Sequence, residues 1–342
     1  MRRAVTMLAL PLLLATAALD GPAFGGPVGF QRLTIADPAD RPLELGIWYP
    51  SDAPATPQPL ELYRQIVAPD APVAAGAAAR LPVVVISHGT GGSLGGHHDT
   101  ALALAEAGFV VAAPTHTGDN FRDQSYAGTS RQMTERPRHV VRVVDYLLGE
   151  WPGRVRLDAA RIGMFGFSAG AFTTLVALGA RPDLARIGAH CQEHPEDWVC
   201  QFVRGRAAPT GSAPAGSATA VGWAHEPRIK AAVVAAPALG FTFAGDALAG
   251  VTRPIQLWRA AEDQILPHPW HAEVVRAALP TPPDYRVVPN AGHYAFLAPC
   301  SEALASRVPG ICTDAPGFDR QSFHAELNRA VVAFFVERLG RP

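Results

Sequence analysis

The stretch Gly166-Phe167-Ser168-Ala169-Gly170 constrains this chain more than any other. The apolar run Arg161 to Phe165 enters it and a helical pattern from Phe172 to Leu178 leaves it, so strand, sharp turn and helix are in register around one serine. A serine on a strained strand-to-helix turn has its Oγ lifted above the sheet, and glycine best tolerates the crowding two residues to either side. Gly166 and Gly170 meet that demand. In a chain with 32 glycines a bare G-x-S-x-G arises readily by chance, and the flanking strand and helix set this one apart.

The rest of the chain alternates strand and helix patterns. Leu33-Thr34-Ile35 and Leu43 to Tyr49 read as two antiparallel strands joined by a Pro-Asp-rich turn, while the Pro/Ala-rich stretch Ser51 to Arg80 reads as irregular. A strand Val83 to Ser87, a helix Thr100 to Ala107 and a strand Phe109 to Ala113 follow, and Pro137 marks a helix start continuing through Val140 to Leu148. From Arg181 to Glu226 the pattern breaks, and Ala207 to Ala220 is low-complexity Ala/Gly/Pro/Ser; this segment, 181–226, reads as a cap-like insertion. The pattern resumes with Ile229 to Ala236, Ile255 to Arg259, a helix around His271 to Ala278 and a strand Tyr285 to Pro289. A last helix, Gln321 to Leu339, places Phe323, Leu327, Val331 and Phe334 on one face. Short apolar strands alternating with helices predict an α/β fold, a mostly parallel sheet covered on both faces, in one domain over residues 26–342.

Composition excludes some classes of partner. The formal charge is −1 and the sequence shows no clustered Lys/Arg of the kind that many phosphate contacts require, so nucleic acid is not expected; Lys230 is the only lysine, and the arginine bias carries no function. Met1-Arg2-Arg3, the apolar run Ala4 to Leu19 and the small residues after it have the layout of a secretory signal over residues 1–25, with Ala15-Thr16-Ala17 as the first cleavage choice and Ala23-Phe24-Gly25 as the second. A retained anchor is the alternative, although the run is short for a bilayer span. The expected location is therefore periplasmic or secreted, with no stable membrane span after cleavage. In that oxidising setting the two local cysteine pairs predict bridges Cys191–Cys200 and Cys300–Cys312. A zinc site from His190, Cys191, His194 and Cys200 is the rival; it has suitable ligand types but crowds adjacent ligands and lacks a C-x-x-C knuckle.

A serine hydroxyl needs a neighbouring base, and the base needs a carboxylate to fix its tautomer. In the α/β-hydrolase order Ser, Asp/Glu, His, each partner follows a late strand. His293, in Asn290-Ala291-Gly292-His293-Tyr294, follows the strand ending near Val288 and is the expected general base. Asp263, a short loop after Ile255 to Arg259, is the expected acid, preferred over Glu262. The oxyanion requires two backbone N–H donors, one from Ala169 after the nucleophile and one from Thr90 in Ser87-His88-Gly89-Thr90-Gly91-Gly92. The run Gly91 to Gly96 lacks G-K-[ST] and opens no G-x-G-x-x-G helix, so nucleotide binding is rejected. His88, His97, His98 and Asp99 offer metal-ligand types, but their loop position and the complete serine machinery argue against a metal; no cofactor or metal is expected.

At these residues the chain resembles the predicted dienelactone hydrolase group of α/β-hydrolases and, beyond it, the platelet-activating-factor acetylhydrolase family. The resemblance runs from about Gly29 to Phe335 and rests on Leu45-Gly46-Ile47-Trp48-Tyr49-Pro50, the Ser87 to Gly92 block, Gly108 to His116, the serine turn and Gly292-His293-Tyr294. It implies Ser168 as nucleophile, Asp263 and His293 as its partners, and the Thr90 and Ala169 amides as oxyanion donors. Dienelactone hydrolases proper use a cysteine where this chain has Ser168, so their name-giving reaction does not transfer, and Ala171 stands where many relatives carry another glycine. The acetylhydrolase resemblance implies short-acyl lipid esters. The expected function is an exported serine hydrolase acting on a small-molecule carboxylic ester; a catalytically idle binding protein on the same fold is the alternative.

Overall fold

A computed structural model describes residues 25–76, 80–205 and 222–342. The signal-like run, both cleavage choices apart from Gly25, and Ala207 to Ala220 lie outside the described residues. Among the described residues ten strands form one sheet: β1 (Val28–Ile35), β2 (Leu43–Pro50), β3 (Thr56–Leu60), β4 (Tyr63–Pro69), β5 (Leu81–Ser87), β6 (Val110–Thr115), β7 (Leu157–Phe167), β8 (Ile229–Ala235), β9 (Ile255–Ala260) and β10 (Asp284–Val288). Their spatial order is β10-β9-β8-β7-β5-β6-β2-β1-β4-β3. All neighbours from β10 to β6 are parallel, whereas β2 runs antiparallel to β6 and β1 antiparallel to β2.

The helices are α1 (His98–Glu106), α2 (Ser130–Gly149), α3 (Ala169–Ala177), α4 (Arg186–Glu193), α5 (Trp198–Gly205), α6 (Ala272–Ala278), α7 (Glu302–Arg307), α8 (Pro309–Cys312) and α9 (Arg320–Leu339). Side chains alternate across each strand, so every central strand feeds both faces. Val83 and Val85 of β5 join a core with Val140 of α2, Leu175 of α3 and Val275 of α6. Val84 and Ile86 join the opposite core with Leu104 of α1 and Leu327 and Val331 of α9. Phe323, Leu327, Val331 and Phe334 are all buried, as their spacing on one helix face requires. None of the described helices is long and apolar enough to cross a membrane.

Two sequence expectations are overturned. Part of the Ser51 to Arg80 stretch is a hairpin, β3 paired antiparallel with β4 at the end of the sheet. Proline cannot donate to a ladder, but Pro57 and Pro59 sit on an edge strand, where that loss is tolerated. Pro137 is not at a helix start but inside α2, which begins at Ser130. An interior proline costs one backbone hydrogen bond, about 3 kcal/mol; burial of Met133, Val140, Val143, Val144 and Leu147 along the same helix outweighs it. Within the 181–226 insertion the described residues form α4 and α5, joined by the Cys191–Cys200 bridge, and Cys300–Cys312 ties α8 to the segment before α7. Both sulfurs of the rival zinc site are thus consumed in a disulfide.

Candidate active site

β7 ends at Phe167 and α3 begins at Ala169, leaving Ser168 alone in the turn with φ 56° and ψ −117°. That backbone costs on the order of 1–3 kcal/mol for a residue with a Cβ and persists only where surroundings over-determine it. Here they do. The Ser168 N–H donates to the Ala235 carbonyl at 2.9 Å, and the Ser168 carbonyl accepts from Ala171 at 3.0 Å, Phe172 at 3.1 Å and Ala238 at 3.1 Å. A Cβ on Gly166 would lie 2.2 Å from the Gly170 carbonyl oxygen, and one on Gly170 would lie 1.9 Å from that of Ser87. Only glycine fits at both positions.

The loops after β9 and β10 bring Asp263 and His293 to this turn. His293 Nε2 lies 3.1 Å from Ser168 Oγ, and His293 Nδ1 lies 2.8 Å from Asp263 Oδ2. Asp263 Oδ1 accepts from the Ile265 N–H at 3.0 Å and the Leu266 N–H at 2.7 Å, so its other oxygen is left for the imidazole. A carboxylate accepting at Nδ1 assigns the ring proton there and leaves the Nε2 lone pair facing the serine hydroxyl. All three side chains are buried. Glu262, the rival acid, is exposed.

Thr90 and Ala169 line the same cavity as Ser168. Ala169 is the first residue of α3, so its N–H has no intrahelical acceptor and sits at the positive end of the helix. The Thr90 loop is braced from behind by residues that sequence reasoning missed. Arg136, 2 % exposed, forms an ion pair with the fully buried Asp119 and donates to the His88 carbonyl and, at 3.2 Å, to Thr173 Oγ1. Asp119 also accepts from the Gly91 N–H at 2.9 Å and from Gln132 Nε2 at 2.6 Å, and Gln132 Nε2 reaches Thr90 Oγ1 at 2.8 Å. A signal was available: Arg136 falls between Met133 and Val140 on the apolar face of α2, where an unpaired guanidinium would not be tolerated.

Of the histidines other than His293, His194 and His225 are half-buried and His268 is exposed, while the remainder are buried. Burial drives the His88 and His116 pKa values well below the usual imidazole range, further lowered by the Arg136 charge. His116 Nε2 contacts Ser87 Oγ at 2.9 Å, and its backbone N–H donates to His88 Nε2 at 3.1 Å. His88, His97, His98 and Asp99 do not converge: Asp99 accepts from His324 Nδ1 at 2.6 Å and Asn328 at 2.8 Å, while His98 Nδ1 faces the Gly95 carbonyl at 3.0 Å. Among the described residues one group has ligand atoms close enough for a cation, Asp40, Glu135 and His139. Arg131 lies 3.4 Å from Asp40 and Arg138 2.6 Å from Glu135, so these carboxylates already have cations.

The cavity above Ser168 measures about 420 Å³. One wall is built by Trp198, Val199 and Phe202 of α5 with Leu239 and Leu266; another by Leu62 and Tyr63 of the β3–β4 hairpin with Leu304, Val308 and Ile311 around α7 and α8. Each disulfide therefore closes a segment that lines the cavity.

A solved structure of a ferulic acid esterase from Streptomyces cinnamoneus matches with TM-score 0.62 and 21% identity, over 94% of this chain and 93% of that one. The chain has the α/β-hydrolase fold. The sequence profile of the prolyl oligopeptidase family matches residues 87–191. That stretch contains Ser168 but neither Asp263 nor His293. No match was found among curated proteins.

Proposed function

We propose that this chain is an exported serine hydrolase that cleaves carboxylic esters of small apolar molecules through Ser168, His293 and Asp263. The single observation that carries the reading is the unbroken hydrogen-bond chain Ser168–His293–Asp263 opening into an apolar cavity. His293 Nε2 takes the hydroxyl proton as Ser168 Oγ attacks the ester carbonyl carbon, and the oxyanion forms against the Thr90 and Ala169 N–H groups. Collapse expels the alcohol, protonated by His293, and leaves an acyl-enzyme. Water then attacks with His293 again as base, releasing the acid and restoring the serine. Asp263 stays ionised throughout and holds the imidazole in its working tautomer.

Esters are favoured over peptides by the cavity walls, which offer aromatic and aliphatic contacts on both sides of the serine. The prolyl oligopeptidase match covers the strand and turn around Ser168, the part any serine enzyme on this fold needs. The esterase named by the structural neighbour and the resemblance to acetylhydrolases both lean the same way. A volume of about 420 Å³ suits an ester with short acyl or aryl groups, short-acyl lipid esters among them. Export is supported by the signal-like N-terminus and by two disulfides.

A fluorophosphonate probe should label Ser168, and a panel of esters of graded acyl length should be hydrolysed with a maximum at short chains. Ser168→Ala should lower kcat by a factor on the order of a million while the protein stays folded. A folded Ser168→Ala protein keeping more than about a hundredth of wild-type turnover would remove Ser168 from the role of nucleophile. Wild-type protein that neither labels nor turns over any ester would favour the idle binding protein instead.

A further inference from the structure

Asp197 stands just before α5 and is 4 % exposed. Its Oδ1 accepts the Val199 N–H at 2.8 Å, capping the helix that forms one cavity wall. Its Oδ2 faces two imidazoles, His190 Nε2 of α4 at 3.0 Å and His271 Nε2, at the start of α6, at 3.4 Å. His271 Nδ1 accepts the Gly240 N–H at 3.4 Å, which assigns the ring proton to Nε2, pointing at Asp197. Burial alone would raise the Asp197 pKa, but the hydrogen bonds from His271 and His190 outweigh it and hold it at about 2, so the carboxylate is ionised at neutral pH. His190 in turn stacks on Phe241 with ring centres 3.8 Å apart, on the core side of α4.

We infer that Asp197 is a positioning residue for the substrate cavity: its carboxylate clamps the disulfide-closed α4–α5 pair to the loop leading on from Asp263, and so sets where Trp198, Val199 and Phe202 stand beside Ser168. The loop that ends at His271 begins with the acid and passes through Ile265 and Leu266, which bind Asp263 by their N–H groups and line the cavity by their side chains. The acid is held by those two N–H groups without help from Asp197. The α5 wall, by contrast, meets this loop's far end through Asp197. Loss of the clamp therefore shifts the wall and spares the triad, which separates substrate fit from chemistry.

The activity arm of the test rests on the ester hydrolase reading. Asp197→Asn is nearly isosteric, yet whichever way its amide turns, an N–H group faces another N–H donor. In this variant KM for an octanoyl p-nitrophenyl ester should rise about tenfold, while kcat for p-nitrophenyl acetate stays within about twofold of wild type. Hydrogen exchange should quicken at the α5 amides and stay unchanged in β7. Asp197→Glu, which keeps the acceptor, should recover part of both effects. Equal losses on the two esters, or unaltered exchange in α5, would overturn the clamp. Should the wild type hydrolyse neither ester, the hydrolase reading fails by itself, and exchange in α5 still decides the role of Asp197.

Discussion

Replacing Arg136 by methionine tests whether the Thr90 loop, the proposed oxyanion donor, is held by a buried ion pair. The guanidinium is the cation facing Asp119, which is 0 % exposed, and it also donates to the His88 carbonyl and to Thr173. Methionine keeps much of the length and volume but leaves Asp119, among the described residues, with the Gly91 N–H and the Gln132 amide as its hydrogen-bond donors. Breaking a buried pair from one side costs about 3–5 kcal/mol, because an uncompensated charge is left in low dielectric. With an unfolding entropy of roughly 2.1 cal/mol/K per residue, that loss lowers Tm by about 4–7 °C for a chain of 342 residues. Scanning calorimetry at pH 7 reads the shift. Arg136→Met combined with Asp119→Leu should recover more than half of it, since the stranded charge is gone. Turnover should recover in neither variant: the His88 carbonyl has lost its anchor, the Thr90 amide is misplaced, and kcat should fall about a hundredfold in both. An unchanged Tm in the single variant, or a double variant as unstable as the summed singles, would refute the brace.

Asp263→Asn should leave the imidazole in the wrong tautomer and lower kcat by about four orders of magnitude, whereas Glu262→Gln, at an exposed position, should change it by less than about threefold; the reverse ranking in steady-state assays would move the acid to Glu262. Acid should destabilise the fold through its buried histidines. Burial lowers the His97 pKa to about 4 and that of His139 to about 3, against about 6.5 for histidine in the unfolded chain. Below pH 6.5 the unfolded chain therefore binds protons that the folded one refuses, so stability is fully present above that value and falls as pH drops toward about 4. A Tm that stays level between pH 7 and pH 4.5 would contradict this.

Where a feature depends on a few consecutive residues, it was legible before any fold was known. The strand, turn and helix around Ser168 follow from period and glycine placement, and the α9 face follows from the spacing of Phe323, Leu327, Val331 and Phe334. The expected order of serine, carboxylate and histidine, each after a strand, pointed to Asp263 and His293, and His293 does lie between Ser168 and Asp263 within hydrogen-bond reach of both. Short cysteine spacing likewise anticipated both bridges. The β3–β4 hairpin was missed because proline argues against a strand unless one knows that the strand is at an edge.

The sequence by itself determined the class of fold and the residues able to carry the chemistry, because backbone preference and apolar period act over one or two turns of chain. Only the tertiary structure decided how Arg136 meets Asp119 across 17 residues and how Asp197 meets His271 across 74. It also decided that Asp263 faces inward while Glu262, its neighbour, faces solvent. Those outcomes depend on which buried polar groups are brought together when distant loops close over one sheet edge. A buried charge or donor must find its partner there, and no local pattern records which partner arrives.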